Sequence, residues 1–183
     1  MAALGKMILL DPDLDPDPAP RPTAAAPSAA PASRAERLPG VRTISNFLTK
    51  AQAAVRLRGQ VTVLLTTDAG IRRLNRQFRG KNKATDVLSF PAEGVGAEGI
   101  AGDLAISVPT ALRQAKGQGH TLSTEIKVLI LHGLLHLAGY DHEADEGQMA
   151  RRERLLRGRL GLPQGLIERA AKPAAGAAKV RRP

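Results

Sequence analysis

The chain has 183 residues, of which 43% are hydrophobic, so it is long enough to form one compact domain with a core. It contains no cysteine, which excludes disulfide bonds and thiolate metal sites. No uncharged apolar run reaches the length of a membrane span, and the first residues lack the pattern of a signal peptide. We therefore expect a cytoplasmic protein that does not contact a membrane.

The formal net charge of +10 is concentrated towards the C-terminus. Residues 151–183 contain ten Lys and Arg against two Glu. A basic segment attracts polyanions, of which nucleic acid is the commonest inside a cell, although a solvated helix face followed by a disordered tail would show the same charge. Because the chain has only three Phe and one Tyr, a nucleic acid would be bound mainly through its phosphates rather than by base stacking.

The N-terminal part of the chain predicts one short strand and then a segment without a fold of its own. Within residues 1–10, the apolar run Met7–Leu10 suits an edge strand. Residues 11–40 are rich in Pro and Ala and begin with Asp alternating with Pro, so we expect them to be extended, solvated and disordered. The folded domain is expected over residues 41–162, followed by a basic disordered tail over residues 163–183.

Apolar periodicity predicts alternating helices and strands after residue 40. In chain order these are a helix over residues 41–57, a strand over residues 60–66, a helix capped by Asp68, a strand over residues 85–90, a strand over residues 103–108 and a helix over residues 109–117. The helix after Asp68 carries Ile71, Leu74 and Phe78 on the face expected to be buried, with arginines at its other positions.

Residues 124–137 predict a helix at the centre of the domain. Its Ile, Val and Leu side chains point in all directions, which is typical of a helix that is buried on every side. Gly139 can take a positive φ angle and end this helix, so the chain can turn back there. A charged helix is expected over residues 143–160.

Three of the four histidines lie within eleven residues around the end of the central helix. His132 and His136 are four residues apart, so they project from one face of the helix, and the turn at Gly139 can bring His142 to the same point. Three neutral imidazoles that converge suit a metal ion, zinc above all, and leave a fourth position open for water. The spacing therefore predicts a metal site of the catalytic type.

The spacing is that of the zinc-protease motif H-E-x-x-H-x-x-G-x-x-H with one departure. Gly133 occupies the position at which a protease carries its general-base glutamate, so peptidase chemistry is not expected. A structural zinc remains an alternative. It would need a fourth protein ligand, for which His120 or Asp141 is available.

Four motifs that follow in one order resemble those of the bacterial YbeY family of endoribonucleases and rRNA maturation factors. They are LNRQFRGK at residues 74–81, TDVLSFP at 85–91, GDLAIS at 102–107 and HGLLHLAGYDH at 132–142. The resemblance covers about residues 41–162, and the histidine motif is highly specific. It implies an α+β fold, in which a small mixed β-sheet packs against helices and the buried central helix carries the metal histidines in a cleft.

The resemblance also implies a site and an activity. It implies one Zn²⁺ per chain, held by His132, His136 and His142, and a catalytic role for Arg79, which by charge pattern alone is a solvated residue. The implied activity is that of a single-strand-specific, zinc-dependent endoribonuclease in 16S rRNA 3′-end maturation and ribosome quality control. The implied partners are rRNA and the small ribosomal subunit with its proteins, and no DNA is expected.

The sequence offers no obvious general base. Asp86, Asp103 and Asp141 are candidates for orienting water or metal ligands, and each is equally a candidate turn residue. Two other functions stay open at this point. One is a non-catalytic ribosome assembly factor with a structural zinc, and the other is a metallohydrolase with a non-RNA substrate, against which Gly133 argues.

Overall fold

The computed structural model describes residues 6–14, 33, 35–92, 99–141 and 145–163. These residues form four strands and five α-helices. In chain order they are β1 (Met7–Leu10), α1 (Val41–Val55), β2 (Gln60–Thr66), α2 (Asp68–Arg79), β3 (Val87–Pro91), β4 (Ile100–Ser107), α3 (Val108–Gln118), α4 (Leu122–Leu137) and α5 (Gln148–Leu160). None of these helices is long and apolar enough to cross a membrane.

The four strands form one mixed sheet in the order β1-β2-β4-β3. Strand β2 pairs in parallel with β1 and with β4, and β3 pairs antiparallel with β4 at the edge of the sheet. The prediction of an α+β fold with a small mixed sheet is therefore confirmed, and β1 lies at the other edge of the sheet.

One face of the sheet is covered by α1 and α4, which form the main core with it. Alternate residues of β2, Val61, Val63 and Leu65, point to this face and are fully buried. Helix α4 also contacts α3, α5 and β3, and most of its residues are buried. This confirms that the helix containing His132 and His136 runs through the centre of the domain.

The opposite face of the sheet is covered by α2 and a smaller apolar cluster centred on Ile71, Leu88 and Ala105. Phe78 was predicted to be buried on this face, but it is 59% exposed and does not join the cluster. It belongs to the last turn of α2, which extends to the edge strand β3, where its ring packs edge-on against Phe90 with 5.1 Å between centroids.

The cap of α2 also differs from the prediction. The hydroxyl of Thr67, not the carboxylate of Asp68, accepts the hydrogen bond from the backbone N–H of Gly70, at 3.1 Å. Asp68 lies in the first turn, where its carboxylate ties α2 to the start of α3. It accepts hydrogen bonds from the side chains of Ser107, Thr110 and Arg113.

The two ends of the segment predicted as disordered are packed on the domain. At its start, Pro12–Leu14 form a 3-10 turn and the carboxylate of Asp11 accepts a hydrogen bond from the buried hydroxyl of Thr66. At its end, the carbonyl of Ala35 accepts from the N–H of Leu122 at 2.8 Å. These contacts show that the two ends of the segment are ordered, contrary to the prediction of disorder. Residues 15–32, residue 34 and the tail after residue 163 lie outside the described residues.

Candidate metal centre

The C-terminal half of α4 places two imidazoles one turn apart with their outer nitrogens facing each other. The Nε2 atoms of His132 and His136 are 3.2 Å apart, and the rings meet edge-to-face at 74°. His132 is buried, with 8% of its surface exposed, and His136 is partly exposed. The pair therefore has one side within the protein and one towards solvent.

The distance between the two Nε2 atoms suits a shared metal ion. Two nitrogens bound to a tetrahedral zinc ion at about 2.0–2.1 Å are themselves about 3.3–3.4 Å apart. Without a cation, two bare lone pairs would repel each other at this distance, and one nitrogen would have to carry a proton. The spacing of the two nitrogens is therefore compatible with a shared zinc ion, and equally with a hydrogen bond from one ring to the other.

The inner nitrogen of His132 is held by a carboxylate from α5. Nδ1 of His132 lies 3.1 Å from Oε2 of Glu153, which is 1% exposed. The other carboxylate oxygen of Glu153 accepts from Nε of Arg157 at 2.8 Å, and Arg157 is equally buried. Burial by itself would raise the pKa of Glu153, but the hydrogen bond from His132 and the charge and hydrogen bonds of Arg157 outweigh it and hold the pKa below its ordinary value.

Gly133 faces the sheet and not the two imidazoles. A Cβ atom at this position would lie 2.6 Å from Cδ2 of Leu104 and 3.2 Å from the hydroxyl oxygen of Ser89. The hydroxyl of Ser89 is also 3.5 Å from the carbonyl oxygen of Gly133. The general-base glutamate of zinc proteases therefore has no room after His132, which gives a physical reason for the departure from the protease motif.

Gly139 turns the chain directly after α4, as the sequence predicts. It has a φ angle of +86°, and its N–H bonds to the carbonyl of His136 at 3.0 Å. His142 lies outside the described residues, so its predicted convergence with His132 and His136 stays a prediction. Within the described parts of the chain, no group of three potential metal ligands is found.

Arg79 is the last residue of α2 and has an exposed side chain on a fixed backbone. Gly80 follows with a φ angle of +67°, and its N–H bonds to the carbonyl of Arg76 at 3.2 Å. The buried side chain of Asn75 holds the next loop through the carbonyl of Lys83, at 2.7 Å. Among the described residues, the side chain of Arg79 forms no hydrogen bond or ion pair, so the structure shows no bond from it to either histidine.

Strand β3 nevertheless connects the end of α2 to the histidines. Its Phe90 packs against Phe78, next to Arg79, on one face of the sheet. The neighbouring residue Ser89 points to the other face, against Gly133 in α4. The end of α2 and the turn of α4 that contains His132 thus both contact this edge strand.

The carboxylates considered from the sequence have other surroundings. Asp86 accepts hydrogen bonds from the N–H of Val87 at 2.8 Å and from the side chain of Gln114 at 2.9 Å, so it fixes the start of β3 against α3. Asp103 is exposed on β4. The next residue, Leu104, packs in the main core, so Asp103 points to the opposite face of the sheet, which α2 covers. Asp141 is exposed after the turn that ends α4.

His120 and Tyr140 are structural residues in this fold. The Nε2 atom of His120 contacts the carboxylate of Glu125, which is fully buried at the start of α4. His120 is therefore at the opposite end of α4 from His132 and His136, and it cannot be a fourth ligand in this arrangement. Tyr140, the chain's one tyrosine, packs against the main core.

Glu153 and Arg157 are not among the site residues predicted from the sequence. A Glu and an Arg four residues apart on a charged helix usually form a solvated pair. The available signal was their position, since Glu153 is four residues after Met149 and three before Leu156, on the apolar face of α5. A charged residue on the apolar face of a helix indicates that a polar or charged partner is buried with it.

Comparison with known proteins places this site in a family. The family model described as Endoribonuclease YbeY matches residues 34–161. The chain is 53% identical over 146 residues to the Endoribonuclease YbeY of Koribacter versatilis, covering 79% of this chain and 94% of that protein. It is 52% identical over 126 residues to that of Solibacter usitatus, covering 69% and 83%.

A solved structure shares the fold. The solution structure of TM1509 from Thermotoga maritima matches 80% of this chain and 96% of its own, with a TM-score of 0.50 and 26% identity. Since the family match spans most of the chain, including the described part of the histidine motif, this protein belongs to the endoribonuclease YbeY family.

Proposed function

We propose that this chain is a zinc-dependent endoribonuclease that cleaves single-stranded RNA in 16S rRNA 3′-end maturation and ribosome quality control. The family supports the endoribonuclease activity. The observation that supports the metal is the pair of Nε2 atoms of His132 and His136, which face each other at 3.2 Å. The proposed partners are rRNA and the small ribosomal subunit with its proteins.

The zinc ion would be held by His132, His136 and His142. The first two are positioned by α4, and the sequence spacing supports the third. When bound, zinc would supply Lewis-acid activation of water or of a phosphoryl oxygen. Its three neutral ligands would leave the ion's full positive charge in the site, which favours an anionic substrate such as a phosphodiester.

Arg79 would act on the phosphate. Its guanidinium can donate two parallel hydrogen bonds to phosphoryl oxygens, whose negative charge increases as the nucleophile adds. The glycine cap after α2 and the hydrogen bond from Asn75 hold the backbone around Arg79. This backbone would therefore lose little conformational entropy when RNA binds.

The exposed side of α2 favours RNA as the substrate. Arg72, Arg73 and Arg76 line a surface cleft of about 300 Å³ together with Asn82. Clustered arginines attract the phosphate backbone irrespective of base sequence. The same helix ends in Arg79, so its electrostatic field would guide a strand towards the proposed catalytic residue.

The decisive experiment measures cleavage of a single-stranded RNA by highly purified wild type, Arg79→Ala and His136→Ala, with Arg42→Ala as the matched control. Arg42 is exposed on α1 and lies outside the arginine-lined cleft, so its loss removes the same charge from a different surface. We expect Arg79→Ala to lower kcat by about 100-fold or more and Arg42→Ala to lower it far less. His136→Ala should abolish cleavage and zinc content, measured by elemental mass spectrometry.

Circular dichroism of all four proteins shows whether each variant is folded. Equal cleavage by all of them would contradict the proposal, because the activity would then come from a contaminating nuclease. In that case a non-catalytic assembly factor with a structural zinc would become the better interpretation. Folded Arg79→Ala and His136→Ala variants that are both inactive would support the site as proposed.

A further inference from the structure

We propose that Glu153, itself held by Arg157, is a positioning residue for His132. Its carboxylate would accept the proton on Nδ1 of His132 and so keep the lone pair of Nε2 directed at Nε2 of His136. This inference rests on the proposed metal centre. It assigns a function to a carboxylate and an arginine on α5 that the cleavage chemistry itself does not use.

The hydrogen bonds form a continuous chain from the end of α5 to the imidazole pair. The carbonyl of Pro163 accepts from Nη1 of Arg157 at 2.7 Å, and Nε of Arg157 donates to Oε1 of Glu153 at 2.8 Å. Oε2 of Glu153 then lies 3.1 Å from Nδ1 of His132. Each oxygen of the carboxylate thus has its own partner, and rotation of Glu153 would break both contacts.

The tautomer of His132 follows from this contact. A neutral imidazole carries one N–H, and an ionised carboxylate can only accept, so the proton belongs on Nδ1 and Nε2 is left bare. Only a bare nitrogen can bind a metal ion. A carboxylate behind a metal-binding histidine also fixes the ring plane and increases the basicity of the opposite nitrogen.

Stability alone gives a weak reason for this arrangement. A buried ion pair adds little to folding compared with apolar side chains of similar size, because both charges lose their hydration. Glu153 lies on the same side of α5 as the buried residues Met149 and Leu156, where apolar residues would pack. The contact with His132 supplies a function for the pair, and the hydrogen bonds from Arg157 hold the carboxylate of Glu153 in place.

The test measures the affinity of the full chain for Zn²⁺ alone, by competition with a chromophoric chelator. Glu153→Gln keeps the size of the side chain but removes the carboxylate, and we expect it to weaken zinc binding by about 10- to 100-fold. Glu146→Gln is the matched control, since Glu146 is an exposed residue just before α5 and loses the same charge. It should bind zinc as the wild type does.

A second variant covers the case in which Glu153→Gln does not fold. The double variant Glu153→Gln/Arg157→Gln removes both charges of the buried pair, so neither is left unpaired. We expect this double variant, like Glu153→Gln, to bind zinc more weakly than the wild type. In addition, ¹⁵N NMR of the metal-free proteins should show His132 as the Nδ1–H tautomer in the wild type and as a mixture in the variants, which a purely structural role of Glu153 would not produce.

The outcomes separate this inference from the proposed metal centre. If wild type and His136→Ala bind zinc equally well, the metal centre itself is wrong. If the wild type binds zinc, His136→Ala does not, and the folded Glu153 variants bind it like the wild type with His132 unchanged by NMR, then only the positioning role of Glu153 is overturned.

Discussion

A side chain at Gly133 would collide with Leu104, because its Cβ atom would lie 2.6 Å from Cδ2 of that residue. The buried side chain of Leu104 therefore fills the space beside the position after His132, and a larger residue there would force it to shift. This packing distinguishes the motif from that of zinc proteases, in which the corresponding residue is the general base beside the metal.

We expect Gly133→Ala to lower the free energy of unfolding by about 1–3 kcal/mol. Alanine favours a helix over glycine by about 1 kcal/mol, but the collision would force the buried side chain of Leu104 out of its place in the core packing. Gly117→Ala in α3 is the control, since its Cβ would meet nothing within 4 Å. That variant should be as stable as the wild type or more so in urea denaturation, and equal losses in both would contradict this account of Gly133.

Features that depend on local pattern were predictable from the sequence. Strand β2 has the predicted bounds because a run of β-branched and apolar residues lies between Gly59 and the helix cap. Helix α4 was identified as central because it is apolar on every side, and His132 and His136 face each other because four residues make about one turn.

Features that depend on tertiary contacts were not predictable in the same way. Thr67 caps α2 in place of Asp68 because the carboxylate is used by residues of α3 that are far away in sequence. By sequence alone Glu153 resembles a surface charge, because only the fold shows that it contacts His132 and Arg157. Phe78 has the spacing of a buried residue, but the sheet ends at β3 before covering it.

We expect His120→Gln to leave the zinc content of the protein unchanged. His120 contacts Glu125 at the start of α4, far from His132 and His136. Its replacement should instead lower stability by about 1–3 kcal/mol, because Glu125 is fully buried and loses its contact with the His120 ring. His136→Gln is the matched variant and should lose zinc. Loss of zinc from folded His120→Gln would instead identify His120 as a ligand.

Asp11 should contribute to stability although it opens the Pro/Ala-rich segment. Its carboxylate is the acceptor for the hydroxyl of Thr66, which is fully buried at the end of β2. Asp11→Ala would leave this hydroxyl without its acceptor, so we expect a loss of about 1–2 kcal/mol in thermal or urea unfolding. Asp13→Ala should change stability by less than about 0.5 kcal/mol, since Asp13 is exposed and lies 3.8 Å from an equally exposed Arg73. Equal effects of the two substitutions would show that residue 11 is no more than a surface charge.

Asp68 should make the stability of the domain depend on pH in the acid range. Burial would raise its pKa, but hydrogen bonds from Ser107, Thr110 and Arg113 hold the pKa below the ordinary value of 3.8. Because the folded-state pKa lies below the unfolded one, the carboxylate stabilises the fold fully above about pH 5 and loses this effect as the pH falls through the folded-state value. We expect Asp68→Asn to lower the free energy of unfolding by roughly 1 kcal/mol at pH 7, a modest value because the carboxylate is partly exposed. Urea unfolding of both proteins between pH 7 and about pH 2.5 measures the difference, which should shrink below about pH 4. A difference that stays constant over this range would mean that the charge of Asp68 contributes nothing to stability.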